Sequence, residues 1–255
     1  MSIDSVHDVV AGLPHMTARQ AGTITSFIAQ HDVQDVLELG FRYGVSTCYM
    51  ADMMESRGGD WHITTIDLEG ARETDPNIEG LLDKLGLCDR VDVFYEPTSY
   101  IWRLMKMLED DPNPRFDMCY LDGAHNWYVD GFAFFLADRL LRPGGWIIFD
   151  DLFWSYDGSP NLGKTAAVKA MPREERETQQ IKKVFDLLVK AHPAYGEFST
   201  NEDWGFARKL PVADPANITI RRETVVEYVG PGAVAKQGYR KARALVRGVK
   251  RKVKR

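Results

Sequence analysis

The sequence has no long apolar run and little cysteine. No stretch approaches the roughly 20 consecutive apolar residues that a membrane-spanning helix needs, so we expect no membrane span. The three cysteines, Cys48, Cys88 and Cys119, are scattered among apolar neighbours and form no C-x-x-C pair. This pattern argues against a disulfide framework and predicts reduced core thiols in a cytoplasmic protein.

The amino-terminal segment also lacks the features of a secretory signal. MSIDSVHDVV has neither a basic start nor an apolar core, which again favours the cytoplasm. Basic residues are concentrated at one end of the chain, because residues 236–255 hold ten of the 32 Lys and Arg residues and no acid. Residues 1–235 therefore contain 22 basic residues and all 37 acidic ones. This acidic part of the chain, the acidic body, argues against binding of nucleic acid along the main surface.

Short apolar runs alternate with helical stretches along the first part of the chain. Strands are predicted over 35–39, 62–67, 91–95, 116–122 and 146–151, and helices over 17–31, 46–57, 78–87, 98–110 and 127–141. Such alternation predicts an α/β domain with a parallel, doubly wound sheet and right-handed crossovers. RPGG, residues 142–145, predicts a turn before the fifth strand. A helix near 178–191 and two strands around a turn at Asn201–Asp203 follow.

The turn after the first predicted strand lacks one glycine of the dinucleotide-binding pattern. ELGFRYGVS, residues 38–46, contains G-x-x-x-G, with Arg42 where the middle glycine of G-x-G-x-x-G would stand. That glycine lets a pyrophosphate approach, so its absence argues against NAD and FAD. Glu38 would repel a phosphate, and the turn therefore favours a cationic ligand such as S-adenosylmethionine (SAM). Asp67, which ends the second strand, has the position that accepts ribose hydroxyls.

ELGFRYGVS resembles the E-L-G-x-x-x-G-x-S turn of catechol O-methyltransferase-like enzymes and related class I SAM-dependent methyltransferases. The likeness extends over residues 12–210, through Asp67, YLDGAH after strand four, LRPGGWIIFDD at strand five and the terminal hairpin. It implies a Rossmann-like, doubly wound, seven-stranded sheet, mostly parallel with a terminal antiparallel hairpin. By this resemblance, cofactor contacts are expected from Glu38, Gly40, Gly44, Ser46, Asp67, Thr98 and Ser99, the last two near the adenine.

Three carboxylates and a histidine follow the fourth and fifth predicted strands. Asp122 ends strand four, His125 lies three residues later, and Asp150 and Asp151 end strand five. These strands should be neighbours, which would bring the acids together at the ligand edge of the sheet. Their mutual repulsion favours a hard divalent cation, and the lack of a nearby Cys or second His argues against zinc. A helix cap at Asp122 and a loop position for Asp151 are the structural alternatives.

By position these acids resemble the metal ligands of metal-dependent O-methyltransferases. The likeness is closer to the macrolide-sugar and rhamnosyl O-methyltransferases and to the related cephalosporin-hydroxylase-named proteins, which share D-x-x-H followed by D-D. It implies that Asp122, Asp150 and Asp151 hold a divalent cation, with Mg²⁺ expected. It also implies that Asp122 and His125 are catalytic, with His125 as general base. The implied acceptor is a hydroxyl of a sugar or other small polyhydroxylated metabolite, in natural product or glycolipid biosynthesis.

Two other interpretations of the site stay open: a metal-independent small-molecule methyltransferase, and a catalytically idle SAM-binding protein tethered by its basic tail. Phe153, Trp154 and Tyr156 follow the last acids, where they would stack on an acceptor ring, form a lid or pack against the core. His15 precedes the first helix, where the resembling enzymes often fold over the cofactor.

The basic end of the chain is the second distinctive feature. We divide the chain into a methyltransferase domain over 1–230 and a basic tail over 231–255, either an amphipathic helix or disordered. A basic amphipathic helix suits an anionic membrane surface, so residues 236–255 predict a peripheral membrane contact, consistent with a glycolipid acceptor. Nucleic acid and the protein's own acidic body are the alternative partners of the tail. A homo-oligomer is compatible with the sequence.

Overall fold

In the computed structural model, which describes residues 3–14 and 16–211, seven strands form one mixed sheet. The strands are β1 Asp35–Leu39, β2 His62–Leu68, β3 Val91–Glu96, β4 Phe116–Leu121, β5 Leu141–Phe149, β6 Tyr195–Asn201 and β7 Trp204–Lys209. Their order is β3-β2-β1-β4-β5-β7-β6. The first five strands are parallel, and β7 runs antiparallel to β5 and β6. The predicted doubly wound sheet with a terminal antiparallel hairpin is confirmed.

Helices connect these strands. They are α1 Ile3–Val9, α2 Ala18–Gln30, α3 Val45–Arg57, α4 Ile78–Leu85, α5 Tyr100–Asp110, α6 Trp127–Leu140, α7 Ala166–Ala170, α8 Arg173–Glu177 and α9 Gln180–Val184. A π-helical turn, Phe185–Val189, continues α9. Thr17 begins α2 with a capping box, since the side chains of Thr17 and Gln20 each accept the other's backbone N–H.

The core has two layers, one on each side of the sheet. Because side chains alternate along a strand, Val36 of β1 packs in one layer and Leu37 in the other. The Val36 layer includes Ile24 of α2, and the Leu37 layer includes Phe134 of α6. Burial on both faces explains why the apolar residues Val36 and Leu37 are adjacent in β1 rather than alternating with polar ones.

Two details differ from the sequence-based expectations. The predicted turn at 142–145 is wrong, because these residues lie inside β5. The pairing of β4 with β5 shifts register between Phe116 and Met118, and Gly144 has a φ of 89°, so a glycine bulge carries the strand through RPGG. Cys48 and Cys119 are buried as expected, whereas Cys88 is exposed at the start of a short 3₁₀ turn.

The described residues belong to one unit of the chain, Met1–Val212. The predicted domain boundary at residue 230, the tail 231–255 with its basic segment 236–255, and His15 lie outside the described residues. Within the described ranges, no helix is both long and apolar enough to cross a membrane.

Candidate active site

A cavity of about 490 Å³ lies at the carboxyl ends of the central parallel strands. Its walls come from the turn after β1, the end of β2 and the segments that follow β3 and β4. The predicted site residues among its lining are Gly40, Ser46, Asp67, Thr98, Ser99, Asp122 and His125. The position agrees with the general rule that doubly wound sheets bind ligands at their topological switch point, here between β1 and β4.

Gly40 permits a backbone contact that no other residue would allow. It has a φ of 92°, and a Cβ atom at this position would lie 2.0 Å from the carbonyl oxygen of Asp122. In addition, the N–H of Asp122 donates a hydrogen bond to the carbonyl of Leu39 at 2.9 Å. The glycine turn is therefore packed directly against the first residue of the segment that carries the acidic cluster.

Asp67 holds the glycine turn in place. Its Oδ2 atom accepts the backbone N–H groups of Phe41 at 2.9 Å and Arg42 at 2.6 Å. Arg42 has a φ of 48°, a left-handed conformation that is uncommon outside glycine, and the bond from Asp67 stabilises it. Asp67 also lines the cavity, so its carboxylate both shapes the turn and faces the space for a ligand.

Glu38 and Gly44, predicted as cofactor contacts, are not among the residues that line the cavity. Glu38 is 0% exposed and accepts the hydroxyl groups of Ser46, Thr47 and Thr65. Burial raises the pKa of Glu38 to about 7, although these three hydrogen bonds act in the opposite direction. Glu38 thus contributes to the site indirectly: it holds the side chain of Ser46, which does line the cavity.

Gly44 has a packing role. It precedes α3 with a φ of 88°, and a Cβ atom there would lie 2.5 Å from Cγ1 of Ile78 on α4. The second glycine of the G-x-x-x-G turn therefore allows α4 to approach the start of α3.

An acidic cluster with a histidine at its centre forms the other half of the site. Nε2 of His125 lies 3.3 Å from Oδ1 of Asp122 and 2.9 Å from Oδ2 of Asp151. One ligand atom from each of the three residues lies within 4.8 Å of the others, which is a spacing that can hold a metal ion. All three side chains are half-buried. The structure thus brings together Asp122, Asp151 and His125 as predicted at the ends of β4 and β5.

The two carboxylates of this cluster shift the pKa of His125. Burial lowers the pKa of His125, but the hydrogen bonds and charges of Asp122 and Asp151 outweigh that effect and raise it to about 10. The imidazolium is therefore the counter-ion of the two carboxylates at neutral pH. His125 and Asp151 have left-handed φ values of 55° and 56°. Such conformations cost roughly 1–3 kcal/mol each and are concentrated at functional sites.

Asp150, predicted as a third metal ligand, has a different environment. Its Oδ2 atom accepts the hydroxyl of Tyr120 at 2.5 Å and its Oδ1 atom accepts the N–H of Asp151 at 2.6 Å. Only 5% of Asp150 is exposed. Burial and the charges of Asp122 and Asp151 raise the pKa of Asp150 to about 8, against the opposing hydrogen bonds. Asp150 thus lies behind the cluster, where it fixes the backbone of Asp151.

A buried polar network holds the segment that carries His125. The Tyr100 hydroxyl donates to Asp130 and accepts the N–H of Ala124 at 3.1 Å. The other oxygen of Asp130 accepts the N–H of Asn126 at 2.8 Å. Both residues that flank His125 in the chain are therefore tied to α5 and α6. The sequence analysis missed this brace, although an acid inside the apolar run WYVDGFAFF was a visible sign of it.

The aromatic loop after β5 packs on the cluster. The rings of Trp154 and His125 are 4.9 Å apart at an angle of 35°, and Trp154 meets Tyr156 edge to face at 4.8 Å. The Tyr156 hydroxyl also donates to the carbonyl of Ala124 at 3.3 Å. Of the alternatives left open for these aromatic residues, the structure shows packing for Trp154 and Tyr156, whereas Phe153 is 45% exposed.

Comparison with known proteins agrees with this fold. Residues 37–152 match a family of proteins described as "Methyltransferase domain". No curated protein sequence matches the chain. An O-methyltransferase from Bacillus cereus in complex with SAH (S-adenosylhomocysteine) shows 19% identity over 82% of this chain and 90% of its own, with a TM-score of 0.58.

Two further solved structures are similar. The O-methyltransferase TomG from Streptomyces achromogenes, in complex with SAM, is 17% identical over 81% of this chain and 88% of its own, with a TM-score of 0.58. The SAH-bound methyltransferase PaMTH1 from Podospora anserina is 17% identical over 82% of this chain and 86% of its own, also with a TM-score of 0.58. The match to a methyltransferase domain agrees with the predicted class, the class I SAM-dependent methyltransferases, and the similar structures confirm the predicted fold.

We predict that Gly40→Ala disrupts the site through a steric clash. The left-handed φ costs an alanine about 1 kcal/mol, and the contact with the carbonyl of Asp122 adds about 2 kcal/mol of overpacking. Urea unfolding measures the loss. Gly86→Ala is the matched control, because Gly86 has a φ of 68° but nothing within 4 Å of its Cβ position. Equal losses in the two variants would contradict the close approach at Gly40.

We also predict a pH dependence of stability that originates from Glu38. Because the folded pKa of about 7 lies above the ordinary value of 4.5, only the folded protein holds this proton between those pH values. The free energy of unfolding should therefore fall by about 3 kcal/mol as the pH rises from about 4.5 to about 7, and stay lower above it. In Glu38→Gln, the free energy of unfolding should no longer show this fall between pH 4.5 and about 7.

The control for Glu38 is Glu69→Gln, because the side chain of Glu69 is 55% exposed. Urea unfolding at a series of pH values from 4.5 to 8 provides the comparison. If the curve of Glu38→Gln runs parallel to that of the unmodified protein over this range, the buried carboxyl does not have the raised pKa assigned to it.

Proposed function

We propose that the protein is a SAM-dependent O-methyltransferase that transfers a methyl group to a hydroxyl of a sugar or other small polyhydroxylated metabolite, with the assistance of a divalent cation. The observation that carries this proposal is the continuity of the cavity, whose wall runs from Gly40 and Asp67 to Asp122 and His125. A methyl donor at the glycine turn would lie beside a cluster able to activate a hydroxyl. The O-methyltransferase names of two similar structures support the proposal.

The cofactor half of the proposed site consists of the glycine turn and its neighbours. Ser46, Thr98 and Ser99 line the cavity and offer hydroxyl groups to a nucleoside ligand. Asp67 is the proposed partner of the ribose hydroxyls. The negative charges of Asp67 and Asp122 suit a ligand that carries a sulfonium and an ammonium group. SAM would supply the methyl group that the acceptor receives.

The acidic cluster fits a divalent cation. Asp122 and Asp151 would hold it through their carboxylates, and oxygen ligands favour Mg²⁺ or Mn²⁺. A bound cation lowers the pKa of an acceptor hydroxyl. Asp150, which accepts the Tyr120 hydroxyl, is assigned to positioning Asp151.

The protein's own groups would then orient the acceptor and move its proton. His125 is the proposed general base, and Nε2 is the atom that would take the proton once the two carboxylates have another counter-ion. The brace from Tyr100 and Asp130 would hold the backbone on both sides of His125, and Trp154 would cover one face of its ring. Catalysis would depend mainly on positioning and on stabilisation of negative charge on the acceptor oxygen.

We predict that Asp151→Asn lowers methyl transfer by about 10²-fold or more in the presence of Mg²⁺, because a cation ligand is lost. Asparagine tolerates a left-handed φ, so the backbone is retained. The measurement is transfer of isotope-labelled methyl from SAM to a panel of sugars and polyols, before and after treatment with EDTA. Calorimetry should show SAH affinity within about threefold of the unmodified protein, because Asp151 does not line the cavity.

Asp60→Asn is the control for this variant, since the side chain of Asp60 is fully exposed and, among the described residues, forms an ion pair with Arg90 alone. Full activity in EDTA together with full activity of Asp151→Asn would favour the metal-independent alternative. SAH binding without transfer to any member of the panel would favour the idle binding protein. Absence of SAH binding would contradict the proposed function altogether.

We further propose that residues 236–255 contact an anionic membrane surface. This segment lies outside the described residues, and the proposal rests on its ten basic residues and lack of acids. Each basic residue near such a surface contributes about 1 kcal/mol. The full chain should therefore sediment with vesicles that contain phosphatidylserine and be released by salt, whereas a chain that ends at residue 235 should not sediment. Equal sedimentation of the two chains would contradict this.

A further inference from the structure

A second cavity, of about 460 Å³, lies next to the candidate active site. Its walls come from the first turn of α6, from α8 and α9 and from the π-helical turn. Tyr128 lines this second cavity and also the active-site cavity. The two spaces therefore meet at Tyr128, whose side chain is exposed.

The second cavity has a fixed framework. Gln180 is 6% exposed, and its Oε1 atom accepts the N–H of Trp127 at 2.8 Å. Its Nε2 atom donates to the carbonyl of Glu175 at 3.0 Å. This one side chain links the start of α6 to α8. α6 also packs closely on the π-helical turn, since a Cβ atom on Gly131 would lie 3.1 Å from Cδ1 of Leu188.

The walls combine exposed apolar surface with charged side chains. Trp127, Tyr128 and Leu187 are 40%, 68% and 58% exposed. Leu187 lies on the π-helical turn, a rare conformation that is frequent at functional sites. Glu175 and Lys183 also line the cavity, and their side chains make no hydrogen bond or ion pair to any part of the chain that the structure describes.

We propose that this second cavity binds the distal part of an extended acceptor, namely a glycosyl unit attached to the group that is methylated. The inference rests on the proposed function and specifies its substrate class. Aromatic rings such as Trp127 and Tyr128 pack on the apolar faces of sugars, while Glu175 accepts and Lys183 donates hydrogen bonds to the hydroxyls. A protein surface is less suited, because it would bury these charges without partners.

The experiment compares methyl glycosides of single sugars with the corresponding disaccharides, titrated into the SAH-loaded full chain. Saturation-transfer NMR detects contact with the protein, and calorimetry gives the affinities. We expect the best disaccharide to bind about tenfold more tightly than its monosaccharide, because it occupies both cavities. Trp127→Ala should abolish this difference and leave the monosaccharide affinity within about twofold.

Trp102→Ala is the matched control, because Trp102 is 50% exposed on α5 and lines neither cavity. Equal affinity for the two kinds of sugar, or a disaccharide preference that survives in Trp127→Ala, overturns the inference. The same holds if no sugar binds, or if Trp127→Ala only converts a dimer into a monomer in sedimentation.

The two proposals can fail independently. Methyl transfer to monosaccharides without any effect of Trp127→Ala would reject the second cavity alone. A disaccharide preference that depends on Trp127, without methyl transfer to any sugar, would reject the proposed function and leave the assignment of the cavity in place.

Discussion

The contact between Gly40 and the backbone of Asp122 is the constraint on which the candidate site depends. Strands β1 and β4 are paired in parallel, so the segments that follow them emerge side by side. A side chain at Gly40 would push the two segments apart, since even a Cβ atom would lie 2.0 Å from the Asp122 carbonyl oxygen. The turn that would hold a methyl donor and the acids that would activate an acceptor are thus neighbours because of backbone packing.

The second half of the site is held in an unfavourable conformation by its surroundings. His125 and Asp151 have left-handed backbones, and each is fixed by hydrogen bonds to neighbouring residues. The brace from Tyr100 and Asp130 holds the residues beside His125, and the Asp150 carboxylate holds the N–H of Asp151. A site that is already ordered before ligands bind needs little reorganisation during reaction, which is the usual source of electrostatic catalysis.

Local sequence patterns predicted the central elements well. β1 was predicted over 35–39 and spans Asp35–Leu39, and the helix predicted over 17–31 spans Ala18–Gln30 with Thr17 as its cap. These elements depend on apolar periodicity and capping, which are visible within a few residues. RPGG was misjudged because a bulge depends on pairing with β4, a strand distant in sequence.

The composition of the acidic cluster was predicted only in part. Asp122, Asp151 and His125 meet as expected, but neither the sequence nor the resemblance showed which of the two adjacent acids would contact His125. Asp150 turns towards Tyr120, and that partner depends on the register between β4 and β5. The Tyr100–Asp130 brace joins residues thirty positions apart and could not be read from spacing. Long-range side-chain pairs of this kind require the fold.

The most direct test of the account is anomalous diffraction from crystals grown with SAH and Mn²⁺. The account predicts SAH along the turn at Gly40 with its ribose near Asp67, and one Mn²⁺ peak between the carboxylates of Asp122 and Asp151. SAH bound elsewhere, or SAH in the cavity with no Mn²⁺ at these carboxylates at saturating concentration, would contradict it.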